Sequence, residues 1–289
     1  MPAYRRRTLT AWLLLLLIEV CGGGAVQAAD KVSVTVLVKD SLAAPRQEAT
    51  IEAKVTAKGW LHDGPVGGEP LELVINGTVT ATGMSGGDGR ARLSWTTTGK
   101  SVIPIQVRIG ASPRVSTAQG EGNLIVWERR TPVLVVELAS LMEDVAGNAP
   151  LPGLASGIQQ EPKPMADAAD ELAKLSQFYY GIMYVASMPA GADGFVTSHQ
   201  ARNWLATHKF PRGFVLALPS GEDALGAKID ELHEAGWKTI RTGIGRSKAF
   251  VETFLRRRLE AIMMIDPASD EVPRKAKVAK DWKEVRKKL

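Results

Sequence analysis

The sequence predicts two folded units of different class: an all-β sandwich followed by an α/β domain on a parallel sheet. Three observations predict it. Residues 31–128 alternate apolar and polar side chains between Gly-rich turns. From Arg129 onward, short apolar strand runs alternate with helix-period segments, the pattern of right-handed crossovers on a parallel sheet. Almost no linker separates the two near residue 130, so they are expected to pack together rather than swing apart.

The β region is read strand by strand. Val32, Val34, Val36 and Val38 alternate with Lys, Ser, Thr and Leu, the period of a half-buried strand. A second strand is expected in 48–57. Leu71–Ile75 and Thr78–Thr82 flank Asn76-Gly77, a hairpin signal because both turn residues tolerate positive φ. Asn76-Gly77-Thr78 is also a glycosylation sequon, read here as a turn. Gly86-Gly87-Asp88-Gly89 turns the chain before Ala91–Thr96, and further strands are expected in 102–109 and 123–128.

The α/β region begins with a strand at 132–138, where Val133 to Val136 are aliphatic without a break, as in a strand covered on both faces. A Pro/Gly-rich loop or insertion over 149–164 comes next. Helices are expected at 167–177, 198–208, 224–235 and 248–255, and strands at 180–186, 213–218, 239–244 and 261–265. In residues 274–289, Val278, Trp282, Val285 and Leu289 fall on one helical stripe among eight Lys or Arg. That tail is read either as lying on an anionic lipid surface with Trp282 at the interface, or as docking on its own domain. The expected units are therefore 31–129, 130–266 and a basic tail 267–289.

Residues 1–28 read as a secretory signal: Arg5, Arg6 and Arg7, an apolar run from Leu9 to Ile18, then Ala25-Val26-Gln27-Ala28 with cleavage after Ala28. Export to the periplasm or exterior is the expectation. An uncleaved anchor, lipidation of Cys21 and twin-arginine export are weaker readings, since the apolar run is short, Glu19 stands beside Cys21, and Thr10 interrupts the apolar preference. Cys21 is the one cysteine, so a cleaved chain has no disulfide and no thiol nucleophile. The formal charge of +5 falls to +3 without the leader, and the tail's +6 sits on a remainder near −3. Basicity this local argues against nucleic-acid binding. His62, His199, His208 and His233 lack metal-ligand spacing, so zinc is not expected. There is no phosphate-cradling Gly-x-x-x-x-Gly-Lys loop.

Two resemblances add to this reading. GGDGRARLSWTTTGKSVIPIQVRI (86–109) resembles the later strands of bacterial immunoglobulin-like modules. TSHQARNWLATHKFPRGFVLAL (197–218), with Arg202-Asn203-Trp204-Leu205 and His208-Lys209-Phe210-Pro211-Arg212-Gly213, resembles the helix and loop of lipin-type phosphatidate phosphatase domains in the haloacid dehalogenase superfamily. GIMYVASMP (181–189) and TGIGRSKAFVETFLRRRLEAIMMI (242–265) are similar to that family's later core, so the likeness runs over about residues 131–265. It implies a Rossmann-like three-layer domain.

The family's chemistry uses an Asp-x-Asp pair after the first strand, a hydroxyl and a lysine on the phosphoryl group, and two acids that help bind Mg²⁺. A carboxylate nucleophile needs such a cation to screen it from an anionic substrate. Here the nucleophile position is Glu137 and the acid/base position is Ala139. The hydroxyl position is Ala186, with Ser187 one place late. The metal positions are Arg246 and Phe250, and Lys228 is the retained lysine. The resemblance thus implies a catalytically degenerate phosphatase domain with no expected cofactor. An Arg246 guanidinium paired with Glu137 would stand in the cation's place.

Bland readings stand beside these: Glu137 as a locally hydrogen-bonded acid, Arg246, Ser247 and Lys248 as solvated charges rather than an anion site at a helix start, and Trp204 as core. Three functions follow. One is a non-catalytic exported protein binding a phosphate, an anionic lipid or an envelope partner through Ser187, Lys228, Arg246, Ser247 and Lys248. The second is an active Mg²⁺-dependent phosphatidate or phosphomonoester phosphatase using Glu137. The third is a purely structural envelope or adhesion component.

Overall fold

The computed structural model describes residues 31–59, 63–143, 162–220, 222–264 and 272–289. The expected leader with Cys21, His62 and most of the Pro/Gly-rich segment lie outside the described residues.

Among the described residues, nine strands form the first unit: β1 (Val34–Val38), β2 (Ser41–Ala43), β3 (Glu48–Ala57), β4 (Gly64–Pro65), β5 (Pro70–Ile75), β6 (Thr78–Met84), β7 (Arg90–Thr96), β8 (Ser101–Ile109) and β9 (Gln119–Val126). One sheet pairs β1, β3 and β7 with the short β4; the other runs β2-β9-β8-β5-β6. In immunoglobulin lettering this sets A-B-E against A′-G-F-C-C′, so the unit is an immunoglobulin-like β-sandwich. Alternation does the work the sequence suggests. In β3, Ala49, Ile51, Ala53 and Val55 are buried while Glu48, Thr50, Glu52 and Lys54 point away. At the hairpin between β5 and β6, Asn76 and Gly77 take φ of 51° and 78°, the two positive values a type I′ turn needs. The β2 and β4 segments are too short to leave a periodic signal.

The second unit is one parallel sheet, ordered β12-β11-β10-β13-β14-β15. Its strands are β10 (Val133–Glu137), β11 (Gly181–Met188), β12 (Phe214–Pro219), β13 (Ile240–Gly245), β14 (Glu260–Met264) and β15 (Lys277–Ala279). The helices are α1 (Ala168–Phe178), α2 (Gly194–Thr207), α3 (Glu222–Glu234), α4 (Lys248–Arg256) and α5 (Trp282–Lys288). Leu134 and Val136 face a core shared with α1, α2 and α5, whereas Val133 and Val135 face α3 and α4. This double coverage is why β10 carries an unbroken aliphatic run.

The tail docks on its own domain, one of the two expectations, but not as one helix. Val278 lies in β15, paired to Met263 of β14, and the helix starts only at Trp282. Trp282 and Val285 are fully buried against the α1 side of the sheet, so Trp282 does not present itself to a lipid surface. The boundary at 266 is therefore corrected: the sheet continues to Ala279. The apolar stripe was burying itself within the domain.

The sandwich and the sheet share packed surface. Ile125 and Trp127 join the α3–α4 core, and a Cβ on Gly181 would meet the Trp127 ring at 2.8 Å. The polar centre of the junction is Asp40, just after β1. Its Oδ1 accepts from the Asn123 amide at 2.9 Å and the Arg202 guanidinium at 3.2 Å, and its Oδ2 from the Val215 amide at 3.0 Å. Arg202 also donates to the carbonyls of Val38 and Glu121. Burial pushes the Asp40 carboxyl above its ordinary range, against the pull of Arg202. Lys54 of the sandwich pairs with Asp193, whose other oxygen caps α2 through the Phe195 amide.

Candidate functional site

In the parallel sheet the chain leaves β10 toward β11 and β12 on one side, and later toward β13–β15 on the other. Ligands of such sheets bind beyond the strand carboxyl ends where the order reverses, here between β10 and β13. Glu137 ends β10, and Gly245-Arg246-Ser247 ends β13 and opens α4.

The Glu137 side chain is buried, with 6% of the residue exposed. Its Oε2 accepts from the backbone N–H of Arg246 at 2.7 Å and of Ser247 at 2.9 Å. Its Oε1 accepts from the Ser247 hydroxyl at 2.5 Å. Ser247 is the N-cap of α4, and its oxygen also accepts from the Phe250 amide. The carboxylate thus sits where backbone donors and the positive end of the helix dipole favour negative charge. Gly245 makes the approach feasible: a Cβ there would lie 2.9 Å from Glu137 Oε2 and 2.3 Å from the Phe250 ring. After Glu137 a single 3₁₀ turn, Leu138–Leu141, is tied back by the Ser140 hydroxyl donating to the Glu137 carbonyl at 2.7 Å.

This geometry sorts the expected residues. Glu137, Ser187 and Ser247 line one small cleft with Leu218, Phe250 and Thr253, of about 50 Å³, which suits a water or two rather than a phosphoryl group with its leaving group. Ser187 is exposed at the end of β11; Ala186 beside it is buried. Lys228 is corrected out of the site: it lies on α3, pairs with Glu231 at 2.6 Å, and is not among the cleft's lining. Its alignment rested on a helix whose exposed face carries several charges. The Arg246 expectation is also revised. The contact that Arg246 makes with Glu137 runs through its backbone amide, while its guanidinium lies 3.6 Å from the Met165 sulfur. The Ser247 donors expected to receive an external anion receive Glu137 instead. Lys248 is the first residue of α4 and does not line the cleft. Among the described residues, no group of three or more His, Cys, Asp or Glu could hold a metal ion.

The distinctive Phe210–Gly213 segment is placed elsewhere, at the amino end of β12. Phe210 stacks on Trp204 with centroids 5.3 Å apart, and Trp204 is core, donating its indole N–H to the Pro162 carbonyl. The Pro211 carbonyl accepts from the Tyr184 hydroxyl at 2.9 Å, and a Cβ on Gly213 would stand 2.2 Å from the Ile182 carbonyl. These are packing reasons for the motif. Arg202, in the same segment, is the interdomain clamp. Sequence reasoning gave it no role, because nothing local in Asp40 or Arg202 announces a partner 162 residues away.

No family model matches the chain, and no curated protein does. Among solved structures, the chain is similar to an uncharacterised protein from Listeria monocytogenes serotype 4b, at 16% identity over 55% of this chain and 96% of that one, with a TM-score of 0.41. It is also similar to a CARDB domain from Pyrococcus furiosus solved with di-metal ions, at 19% identity over 33% and 92%, TM-score 0.24. The PKD domain of human KIAA0319 matches at 14% over 38% and 96%, TM-score 0.24. The fold description rests on the strand pairing itself.

Proposed function

We propose that the chain is an exported, non-catalytic binding protein in which a degenerate phosphatase-type domain of the haloacid dehalogenase kind serves as a scaffold. The observation that carries this is that three of the roughly four lone-pair positions of the Glu137 carboxylate are already filled from within. A nucleophile must reach its substrate with a free lone pair at the open mouth of the site. This carboxylate is turned inward and takes three hydrogen bonds from the start of α4. The position two residues on, where that family places its proton donor, is Ala139, a methyl group. The doubly wound strand order and the location of Glu137 at its switch point support the family reading. The leader-like residues 1–28 support export.

An external phosphate at the α4 amides would have to displace a carboxylate already held there. The binding role is therefore assigned to another part of the molecule. Mg²⁺ would enter only in the active-phosphatase alternative, and among the described residues Glu137 would be its obvious acidic ligand at the switch point.

Turnover of phosphatidate and of an aryl phosphate by residues 29–289, with and without Mg²⁺, tests this. The expected result is no turnover above that of a Glu137→Ala variant. Mg²⁺-dependent turnover that disappears in the variant would overturn the proposal and make Glu137 a working nucleophile.

A further inference from the structure

A cleft lies between the two units, at the opposite end of the sheet from Glu137. Its volume is about 820 Å³, within the range of roughly 300–1,000 Å³ typical of small-molecule sites, which favour domain interfaces. One wall is the outward face of β8 and β9. Gln106 alternates there with buried Ile105 and Val107, and Gln119 and Asn123 alternate with buried Gly120 and Leu124. The other wall is α2, with His199 and Asn203, followed by the loop that carries Arg212. The Asp40–Arg202–Val215 clamp ties these walls together, so the cleft is held open by buried, paired groups.

The chemistry of the lining narrows the ligand. About half of the lining is apolar, including Leu37, Pro104 and Phe210, and the polar half is mostly amide, imidazole and guanidinium groups, each planar and each able to meet two neighbouring polar atoms. Charge is close to balanced: Glu121 offsets Arg212, and Arg202 is already matched by Asp40. Burial, then the nearby Arg202, hold His199 below its ordinary pKa and so neutral near pH 7. A phosphate or polyanion would find no excess positive charge. A backbone-pairing peptide would need a free strand edge, but on β9 the Glu121 carbonyl already accepts from Arg202 and the Asn123 amide already donates to Asp40. A ligand rich in uncharged hydroxyls, each both donor and acceptor, fits what remains.

We propose that the interdomain cleft binds a neutral oligosaccharide, held between the Gln106–Gln119–Asn123 face and the His199–Asn203 edge of α2. This deepens the binding-protein reading and assigns it a site.

The test is titration of residues 29–289, followed by calorimetry or amide NMR shifts, with three probes. These are α-1,4- and β-1,4-linked glucose hexasaccharides and a β-1,4-linked N-acetylglucosamine tetrasaccharide, with inorganic phosphate as the anionic comparison. At least one sugar is expected to bind saturably, phosphate is not, and Asn203→Ala and Gln106→Ala each weaken the sugar at least tenfold. Both variants alter residues outside the core, and unchanged thermal unfolding confirms that they fold. Saturation by none of the sugars, sugar binding untouched by both variants, or phosphate binding that both variants abolish would each overturn the proposal. No phosphate ester is present in the sugar titrations, so an active enzyme and an empty cleft give different results.

Discussion

Two buried carboxylates, Glu137 and Asp40, solve the same physical problem in opposite ways. A carboxylate out of water needs its lone pairs filled. Glu137 fills them locally, from amides and a hydroxyl at one helix start in its own domain. Asp40 fills them at long range, from Asn123 in the sandwich and Arg202 and Val215 in the α/β unit. The local solution closes a switch-point site against outside anions. The long-range solution fixes two domains at an angle that leaves a cleft between them. The difference teaches that a buried acid at a strand end is not by itself a sign of chemistry; its partners decide whether it is a plug, a clamp or a reagent.

Substitutions can break this comparison, and the clamp should give the largest effect. Asp40→Ala leaves the Arg202 guanidinium buried and unpaired, and is expected to cost about 3–5 kcal/mol in denaturant unfolding. Replacing both partners by apolar residues, Asp40→Leu with Arg202→Met, should recover most of that loss, since no lone charge remains. Glu137→Ala removes an acceptor from three donors that lie near a cleft, and about 1–3 kcal/mol is expected. Gly245→Ala drives a methyl into the Phe250 ring and the Glu137 carboxylate; roughly 1–3 kcal/mol of overpacking should appear as a lowered Tm.

The smallest effect belongs to Lys54→Ala. Its ion pair with Asp193 is partly solvated, so at most about 0.2–1 kcal/mol is expected near neutral pH. It also carries a pH signature. Burial pushes Asp193 up, but the Lys54 hydrogen bond, the Phe195 amide and the Lys54 and Arg90 charges outweigh it, so its pKa falls below the ordinary range. A depressed folded pKa means stability present above about pH 4 and lost as pH falls through the folded value. Lys54→Ala should shrink that acid-limb loss. Asp40 runs the other way: its raised folded pKa gives a contribution fully present below about pH 4 that declines as pH rises through the folded value. Stability curves of Lys54→Ala and Asp40→Asn from pH 3 to 7 would separate the two signs.

How much of this could be read in advance depends on the range of the interaction. The alternating strands and the Asn76-Gly77 hairpin were legible because side-chain period and turn φ are local. In the tail, docking on its own domain holds, but the single helix does not, because Val278, Trp282 and Val285 match a helical spacing by coincidence, across a strand, a turn and a helix start. α2 begins at Gly194, four residues before the expected Ser198, because Asp193-Gly194 resembles a loop until its capping bond is seen. Glu137 is legible as a strand-end acid, Arg246 as its neighbour and Ser247 as a residue of the helix start. That the bond from Arg246 comes through its amide is not, because every non-proline residue carries that donor. The Asp40 clamp left no sequence signal at all; only the folded chain brings its partners together.

The most direct test of the closed switch point is thermal unfolding of the wild type and Glu137→Ala across a phosphate titration. If Glu137 already occupies the anion position, phosphate leaves the wild-type Tm unchanged at constant ionic strength. In the variant the vacated amides accept phosphate and the Tm rises with its concentration. A phosphate-dependent rise in the wild type, equal to or larger than in the variant, would contradict the account and reopen the site to an external anion.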